Sequence, residues 1–392
     1  MKIQFNLRHR IRRLWMLSDI FLFMLAFLFF TKVSKRKPNR IVFASDAAKA
    51  PKGNLLLVLN EVRRRFGDSL DIFVSTRPTV YAHRSLWGAI QLGHRIATAR
   101  VLVLDDYFPE IYRLQMPEGI EVIQLWHASG AFKKVGFARR GMLGGPGPRS
   151  KAHRGYTAAI VSSEGVRDAY ALAFNMPVEN IHAVGNPKTD RLFDAKWVSD
   201  SRSTVRRELG IPADATVALV ATTFRGHGQI SAEIVDHPTD WHAIAEQLPG
   251  HYILIKNHPF TRGQATGYAP HPRVIDVTDR DEFEPILSAA DVLVSDYSSV
   301  IFDAALLGKP VVYFTTDQSD YEELRGFFFD ANSYVWGPKV SDQNDLAAAI
   351  ANPVVDKTKF DAAYSRHLAA CDGHSTERVV AQLIAPFVEP SQ

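Results

Sequence analysis

Short runs of β-branched and aliphatic residues alternate along the chain with longer segments in which apolar residues recur every three or four positions. The short runs are typical of buried parallel strands, and the longer segments are typical of amphipathic helices. The pattern predicts strands at residues 40–44, 71–75, 101–104, 121–125, 158–162, 181–184, 217–222, 252–256, 274–276, 292–295 and 311–314. It predicts helices at 54–66, 83–98, 165–174, 241–247, 282–289, 299–307 and 342–351, and a largely helical stretch over the last sixty residues or so.

This alternation predicts an α/β protein with two doubly wound, Rossmann-like halves, each built on a parallel sheet. The pattern breaks near residues 194–203, so we place an N-terminal domain at 39–198 and a C-terminal domain at 199–392. Ligands of such folds bind at the carboxyl edge of the sheet. We therefore expect the two halves to face a shared cleft.

The first 38 residues form a separate segment, in which an apolar run of eleven residues, 20–30, lies between basic clusters. A helix needs about 20 apolar residues to cross a bilayer. Residues 1–40 carry ten Lys or Arg against one acid, a net charge of +9. This combination favours a helix that lies in the membrane interface, with its cations at anionic headgroups. A short or tilted span and a buried core helix remain as alternatives.

The composition narrows the class of protein further. Of 392 residues, 46% are hydrophobic and 22% are charged, which is typical of a folded protein with two cores. The residues after 40 carry a net charge of −5, so the basic excess belongs to the N-terminal segment. A basic folded domain, as expected of a nucleic-acid binder, is therefore missing. The single cysteine, Cys371, excludes an internal disulfide and a multi-cysteine zinc site, and it favours a reducing compartment.

Several common signatures are absent from the sequence. It contains no G-x-x-x-x-G-K-[ST] loop, no G-x-G-x-x-G after the first strand, no H-E-x-x-H and no G-x-S-x-G. A P-loop enzyme, a standard dinucleotide-binding fold, a zincin and a serine hydrolase are therefore not supported. No metal-ligand cluster stands out, and we expect no cofactor.

The segment 291–314 carries the strongest chemical signal, because it has the pattern of a strand, a tight loop, a helix and a second strand. Ser298 and Ser299 occupy the predicted helix N-cap, where hydroxyls and unpaired amides form an anion site. Asp296 and Asp303 lie nearby, and a carboxylate beside a phosphate site suits ribose hydroxyls. Simple capping of a structural helix is the alternative interpretation.

Two histidines follow predicted strands, one in each half. His127 lies just after the strand at 121–125 and precedes Lys133-Lys134. His258 lies just after the strand at 252–256. A histidine near neutral pKa at the cleft edge suits a general base. Structural histidines are the alternative, although a pair on opposite halves is more specific than one alone.

Two more segments add charged and hydroxyl groups. Lys188 and Asp190 follow a Gly-Asn-Pro turn, where ordinary linker chemistry is the alternative. Thr223 and Arg225 follow the strand at 217–222 and offer donors for a pyrophosphate. The glycine-rich tract at 141–151 has the composition of a mobile loop over the site.

Taken in order, these segments resemble the CDP-glycerol glycerophosphotransferase family, the polymerases and primases of wall teichoic acids and related capsules. The resemblance covers about residues 121–380 and includes the segment 321–330. The matching motifs are Trp126-His127 with Lys133-Lys134, Gly185 to Asp190, Thr223 to Arg225, His258-Pro259, and Asp296 to Ser299. The chain departs from the family pattern at Ala128-Ser129-Gly130 and in the spacing of Arg262 after His-Pro.

The resemblance implies a GT-B-like fold and transfer of a polyol phosphate from a CDP-activated donor to a lipid-linked acceptor, with release of CMP. It implies that His127 is the base on the acceptor hydroxyl, that His258 stabilises the donor phosphate, and that Lys133, Lys134, Lys188 and Asp190 serve the acceptor or the hinge. The residues implied to bind the donor are Thr223, Arg225, Arg262, Asp296, Ser298, Ser299 and Asp303. A peripheral or shallowly anchored position on the cytoplasmic side of the cell membrane fits a lipid-linked acceptor.

Two other classes remain open. A GT-B glycosyltransferase that uses a nucleotide sugar would share the fold and the nucleotide site. A membrane-associated nucleotide-binding scaffold would need no base, so that both histidines would be replaceable. The sequence leaves open whether the polyol is glycerol or ribitol and whether the protein primes or polymerises.

Overall fold

The computed structural model describes residues 2–226, 233–234, 239–261 and 271–388, with side chains from Ser18 onward. The strands are β1 (Arg40–Ser45), β2 (Asp71–Thr76), β3 (Val101–Leu104), β4 (Glu121–Gln124), β5 (Ala158–Ile160), β6 (Ile181–His182), β7 (Thr216–Ala221), β8 (His251–Ile255), β9 (Val274–Asp276), β10 (Val292–Ser295), β11 (Val311–Phe314) and β12 (Lys339–Val340). The helices are α1 (Lys2–Val33), α2 (Gly53–Phe66), α3 (Leu86–Ala97), α4 (Arg167–Phe174), α5 (Ala195–Glu208), α6 (Trp241–Gln247), α7 (Glu284–Ala289), α8 (Val300–Leu306), α9 (Gln318–Arg325), α10 (Gln343–Ala351), α11 (Lys357–Leu368), α12 (Ser375–Val379) and α13 (Ala385–Val388). The predicted α/β class with two parallel sheets is confirmed.

The chain divides into two compact units. Unit 1 comprises Met1–Ala128, Pro146–Lys188 and His374–Gln392, and unit 2 comprises Ser129–Gly145 and Thr189–Gly373. This division differs from the predicted one, which cut the chain at residues 38 and 198 and assigned everything after residue 198 to one domain. The difference at the C-terminus has a simple cause. Val379, Val380 and Ile384 are fully buried in the apolar core of unit 1, so packing rather than sequence order decides where this helix belongs.

Unit 1 is built on a six-stranded sheet with the order β2-β1-β3-β4-β5-β6, in which all neighbours are parallel. Strand β1 is buried along its whole length, as expected for a central strand of a doubly wound sheet. Helix α2 covers one face through Leu55, Val58, Leu59 and Val62, which recur at helical spacing. The order reverses between β1 and β3, and the carboxyl ends of these two strands therefore form a topological switch point.

Helix α1 packs on α3 within unit 1 through one face only. Phe23 and Phe27 are almost fully buried, and Gly93 of α3 lets the helices approach closely, since a Cβ there would lie 2.8 Å from the Phe23 carbonyl oxygen. The opposite face leaves apolar side chains in solvent, namely Phe21, Leu25, Leu28 and Phe29, each about half exposed or more. In the described part of the chain, no helix has the length and apolar character required to traverse a bilayer.

Unit 2 is built on a second six-stranded sheet with the order β12-β11-β10-β7-β8-β9, again with parallel neighbours. Its strands carry apolar residues on both faces, so that Leu219 and Leu293 belong to one core and Val220 and Val294 to the other. Chain order reverses between β7 and β10. This reversal brings the segments after β7 and β10, which are about 70 residues apart in sequence, to one place at the edge of the sheet.

Residues 194–203 were predicted to separate the two domains. Instead, this segment forms most of helix α5. Asp194 caps the helix by accepting a hydrogen bond from the amide of Trp197. Arg202 and Arg206 then pair with Asp291 at the start of β10. The polar pattern that suggested a linker is therefore the solvated and ion-paired surface of a helix.

Candidate functional site

The switch point of unit 2 brings together the segments that follow β7 and β10. Asp296, which is almost fully buried, accepts hydrogen bonds from the Thr223 amide (2.8 Å) and the Thr223 hydroxyl (2.8 Å). Two predicted donor-binding residues thus form one hydrogen-bonded pair. The carboxylate of Asp296 fixes the loop after β7, a structural task that the sequence interpretation had not assigned to it.

Arg225 joins the same cluster and is held by two carboxylates. Its Nε and Nη2 donate to Asp317 at 2.7 and 2.8 Å, and its Nη1 donates to Asp296 at 3.1 Å. Burial lowers the pKa of the guanidinium, but the hydrogen bonds to Asp317 and the charges of both carboxylates raise it by more. Arg225 is therefore permanently charged, and it connects the loop after β7 to Asp296 and Asp317. Asp317, which lies just before α9, was missed because nothing local in its sequence marks it.

Ser298 and Ser299 lie at the start of α8, as predicted. Ser299 occupies the N-cap position with a helical backbone, and its side chain makes no capping hydrogen bond. The Ser298 hydroxyl is 3.5 Å from the Val300 amide, at the limit of a hydrogen bond. The structure therefore gives little support to simple side-chain capping. Asp303, in contrast, is buried and accepts a hydrogen bond from the Ser129 hydroxyl at 2.9 Å.

His258 lies beside the loop that follows β7. Its ring packs on Phe224, with 4.7 Å between the centroids, and on Phe260. Its Nδ1 accepts the amide proton of Phe260 at 3.2 Å, so in the neutral ring Nε2 carries the proton. In this tautomer the N–H donor of His258 is on Nε2, at the end of β8 and next to the Thr223–Arg225 segment.

Lys133 and Lys134 pair with the segment that follows α9. Lys133 forms an antiparallel bridge with Phe327, and the Lys134 amide donates to the Gly326 carbonyl oxygen at 3.0 Å. Arg325 of the same segment donates to the Gly226 carbonyl oxygen and lies over the Phe224 ring. Of these cations, Arg325 contacts the loop after β7 through its side chain, and the sequence interpretation did not name it.

The switch point of unit 1 contains two carboxylates that the sequence interpretation overlooked. Asp105 and Asp106 come directly after β3, so a search for acidic residues at strand ends would have found them. Burial, together with the charge of Asp106, raises the pKa of Asp105 to about 7, although a hydrogen bond with Ser45 opposes this. A carboxyl group that titrates near neutrality at a switch point is a feature typical of functional sites.

His127 lies at the next strand end of unit 1 and is about half exposed. Its Nδ1 is 3.6 Å from Oδ2 of Asp106, and its ring stacks on Trp126 with 4.5 Å between the centroids. Trp126 in turn contacts the ring of His153, whose pKa burial lowers to about 3, so that His153 is neutral. His127 is thus a supported but accessible imidazole beside a carboxylate, an arrangement that suits a general base.

The remaining predicted residues are distributed between the units. Lys188 belongs to unit 1, where its amide donates to Asn54 at 2.8 Å, and Asp190 belongs to unit 2, within a short 3₁₀ segment, Pro187–Phe193. Arg262, predicted to bind donor phosphate, lies outside the described residues.

One group in the described part of the chain combines metal-ligating side chains, namely His242, Glu246 and His271. Its hydrogen bonds indicate an ion-paired cluster and not a metal site. Nδ1 of His271 accepts the Arg273 amide proton, so Nε2 carries the ring proton and donates to Glu246 at 2.9 Å. Arg273 adds a guanidinium 3.3 Å from the same carboxylate. The group is satisfied as a hydrogen-bonded pair with a cation already beside it.

Comparison with known proteins shows relatives over most of the chain. The model of the family CDP-glycerol:poly(glycerophosphate) glycerophosphotransferase matches residues 25–385. The chain is 36% identical to the teichoic acid poly(ribitol-phosphate) polymerase of Bacillus spizizenii, over 90% of this chain and 57% of that protein. It is 34% identical to the teichoic acid ribitol-phosphate polymerase TarL of Staphylococcus aureus, over 89% of this chain and 63% of that protein. The chain therefore spans about three fifths of the length of these two relatives.

Solved structures share the fold. The structure of the wall teichoic acid polymerase TagF superposes with a TM-score of 0.76 at 20% identity, covering 99% of this chain and 98% of that one. The UDP-GlcNAc 2-epimerase of Neisseria meningitidis superposes more loosely, with a TM-score of 0.52 at 13% identity, covering 88% of this chain and 99% of that one. These similarities agree with the two parallel sheets described above.

Proposed function

The chain belongs to the CDP-glycerol:poly(glycerophosphate) glycerophosphotransferase family, and from this premise we propose that it transfers a polyol phosphate from a CDP-activated donor to a lipid-linked acceptor. CMP is the leaving group, and the product belongs to a teichoic acid or a related capsular polymer. The two relatives described above are named for ribitol phosphate, so CDP-ribitol is the first donor to test and CDP-glycerol the second.

The observation that carries the proposal is the switch point of unit 2. There Thr223, Arg225 and Asp296 form one hydrogen-bonded cluster, and the Ser299 side chain makes no capping hydrogen bond. Hydroxyls and amides at the start of α8 bind the pyrophosphate of the donor, and the Nε2 proton of His258 faces the phosphate. Arg225 acts by holding the loop, because its guanidinium already serves two carboxylates.

The reaction needs one proton transfer and no redox step. His127 accepts the proton of the acceptor hydroxyl, whose oxygen attacks the β-phosphorus of the donor. The bond between this phosphorus and the bridging oxygen of CMP breaks, and a phosphodiester forms. The charge of Asp106, 3.6 Å from Nδ1, stabilises the cationic form of the imidazole.

The exposed face of α1 is proposed to rest on the cytoplasmic leaflet of the membrane. Phe21, Leu25 and Phe29 recur at helical spacing on one stripe, and Trp87 at the start of α3 is 72% exposed. An apolar stripe next to a basic segment fits an interfacial helix, and such a surface would bring the protein to a lipid-linked acceptor.

Vesicle binding tests this surface. We expect the full chain to sediment with vesicles that contain phosphatidylglycerol, and a Phe21→Ser, Leu25→Ser, Phe29→Ser variant to remain in the supernatant while staying folded. Leu172→Ser removes an exposed apolar side chain from α4 and serves as the control. Equal sedimentation of the triple variant and the control would refute the assignment.

Product analysis tests the reaction itself. The protein is incubated with a lipid-linked acceptor and CDP-ribitol, CDP-glycerol, a UDP-sugar or a CMP-sugar, and released nucleotides are separated. CMP from a CDP-polyol, together with polyol phosphate on the lipid, supports the proposal. Release of UDP, or of CMP only from the CMP-sugar, would instead establish a glycosyltransferase. Binding of CDP-polyol without any product would establish the scaffold alternative.

A further inference from the structure

The chain turns sharply between β4 and His127, and the turn is made at an unfavourable residue. Trp126 has φ of 53°, the left-handed region that a bulky side chain rarely adopts. It is also almost fully buried, so neighbouring groups must impose the conformation. Such conformations persist only where the surrounding structure holds them, and they cluster at functional sites.

Two buried amide side chains hold the backbone of Trp126 from both sides. Oε1 of Gln124 accepts the Trp126 amide proton at 2.8 Å, while Nε2 of Gln124 donates to the Asp106 carbonyl oxygen at 3.1 Å. Nδ2 of Asn54, in the first turn of α2, donates to the carbonyl oxygens of Trp126 at 2.8 Å and Leu125 at 3.2 Å. The backbone N–H and C=O of Trp126 are therefore both bonded to side chains and not to a neighbouring strand.

Asn54 also contacts a second segment of unit 1. Its Oδ1 accepts the amide proton of Lys188 at 2.8 Å, so one side chain joins the turn before His127 to the end of the Gly-Asn-Pro-Lys segment. Asn54 is only 3% exposed. Its amide group thus bonds backbone groups of two separate motifs of unit 1.

We propose that Asn54 is a positioning residue for His127. It fixes the left-handed turn at Trp126, on whose indole the imidazole stacks, and so sets the distance of the imidazole from Asp106. This assignment rests on the proposed function only as far as His127 is taken to be the base. The placement of the imidazole is a claim about structure and has its own test.

The kinetic test uses four substitutions on one helix. Asn54→Ala removes the hydrogen bonds to Leu125, Trp126 and Lys188. Asn54→Asp keeps the acceptor for Lys188 but loses the donor to the two carbonyl oxygens. Asn60 is exposed on the same helix, so Asn60→Ala and Asn60→Asp reproduce the changes in helix propensity and charge. We expect both Asn54 variants to lower kcat about 10- to 100-fold with a donor KM within about twofold of wild type, because small displacements of a catalytic group cost this much. In a His127→Ala background, Asn54→Ala should have little further effect.

The structural test needs no turnover. Histidine C2–H resonances are recorded at a temperature where circular dichroism shows each variant folded, and the His127 signal is assigned from its loss in His127→Ala. The signal should shift in both Asn54 variants and stay unchanged in both Asn60 variants. An unshifted signal in the Asn54 variants would overturn the inference, as would full additivity with His127→Ala. A wild-type protein that releases no CMP refutes the proposed function instead, and the resonance then decides the positioning role alone.

Discussion

Asp105→Asn should make the protein more stable, and increasingly so as the pH rises. Asp105 lies at the end of β3, and burial raises its pKa to about 7 from an ordinary value of 3.8. Its Oδ1 is buried without a hydrogen-bond partner among the described residues. The carboxylate is therefore costly to form in the folded protein, and asparagine mimics the shape of the protonated group at every pH.

The magnitude follows from the two pKa values. Below about pH 4 the group is protonated in both the folded and the unfolded chain and contributes no penalty. Between about pH 4 and 7 the unfolded chain loses the proton while the folded chain keeps it, so stability falls. At about 1.4 kcal/mol per pH unit, the full loss is about 4 kcal/mol and is complete slightly above pH 7.

Urea unfolding of wild type and variant at about pH 4.5, 6, 7 and 8 measures this effect, because subtraction cancels all other titrations. The variant should gain about 3–4 kcal/mol relative to wild type between the lowest and highest pH. Asp68→Asn, at an exposed position after α2, is the control and should give a nearly constant difference. A change of less than about 1 kcal/mol for Asp105→Asn would refute the argument from burial.

Three further substitutions test the site. His127→Ala should lower turnover about 10²- to 10⁴-fold while CDP-polyol binding, measured by calorimetry, persists, and near-normal turnover would remove the assignment as base. Ser299→Ala should raise the donor KM about tenfold, since a hydrogen bond to a charged group is lost, and an unchanged KM would reduce this serine to a structural role. Arg225→Lys should lower the free energy of unfolding by about 2 kcal/mol in urea titrations, because lysine cannot reproduce the two-pronged pair with Asp317; unchanged stability would contradict the bracing role of this arginine.

The local pattern determined the secondary structure closely, together with the positions of several chemical groups. The strands at 101–104, 292–295 and 311–314 begin and end as predicted. His127 and His258 follow strands, and Ser299 begins a helix. These features depend on residues within a few positions of one another, where apolar periodicity and turn residues act directly.

The partners of these groups were decided by strand order and packing. Thr223 meets Asp296 only because β10 lies beside β7, and Arg225 meets Asp317 across 92 positions of the chain. The membrane-like pattern of α1 likewise gave no sign that Phe23 and Phe27 would pack on α3 while Phe29 stayed exposed. Nor could the pattern show the left-handed turn at Trp126, whose backbone is bonded by Gln124 and by Asn54 of α2. A sequence pattern records which face of an element is apolar, but the element that covers this face depends on contacts between distant residues, and only the tertiary structure supplies them.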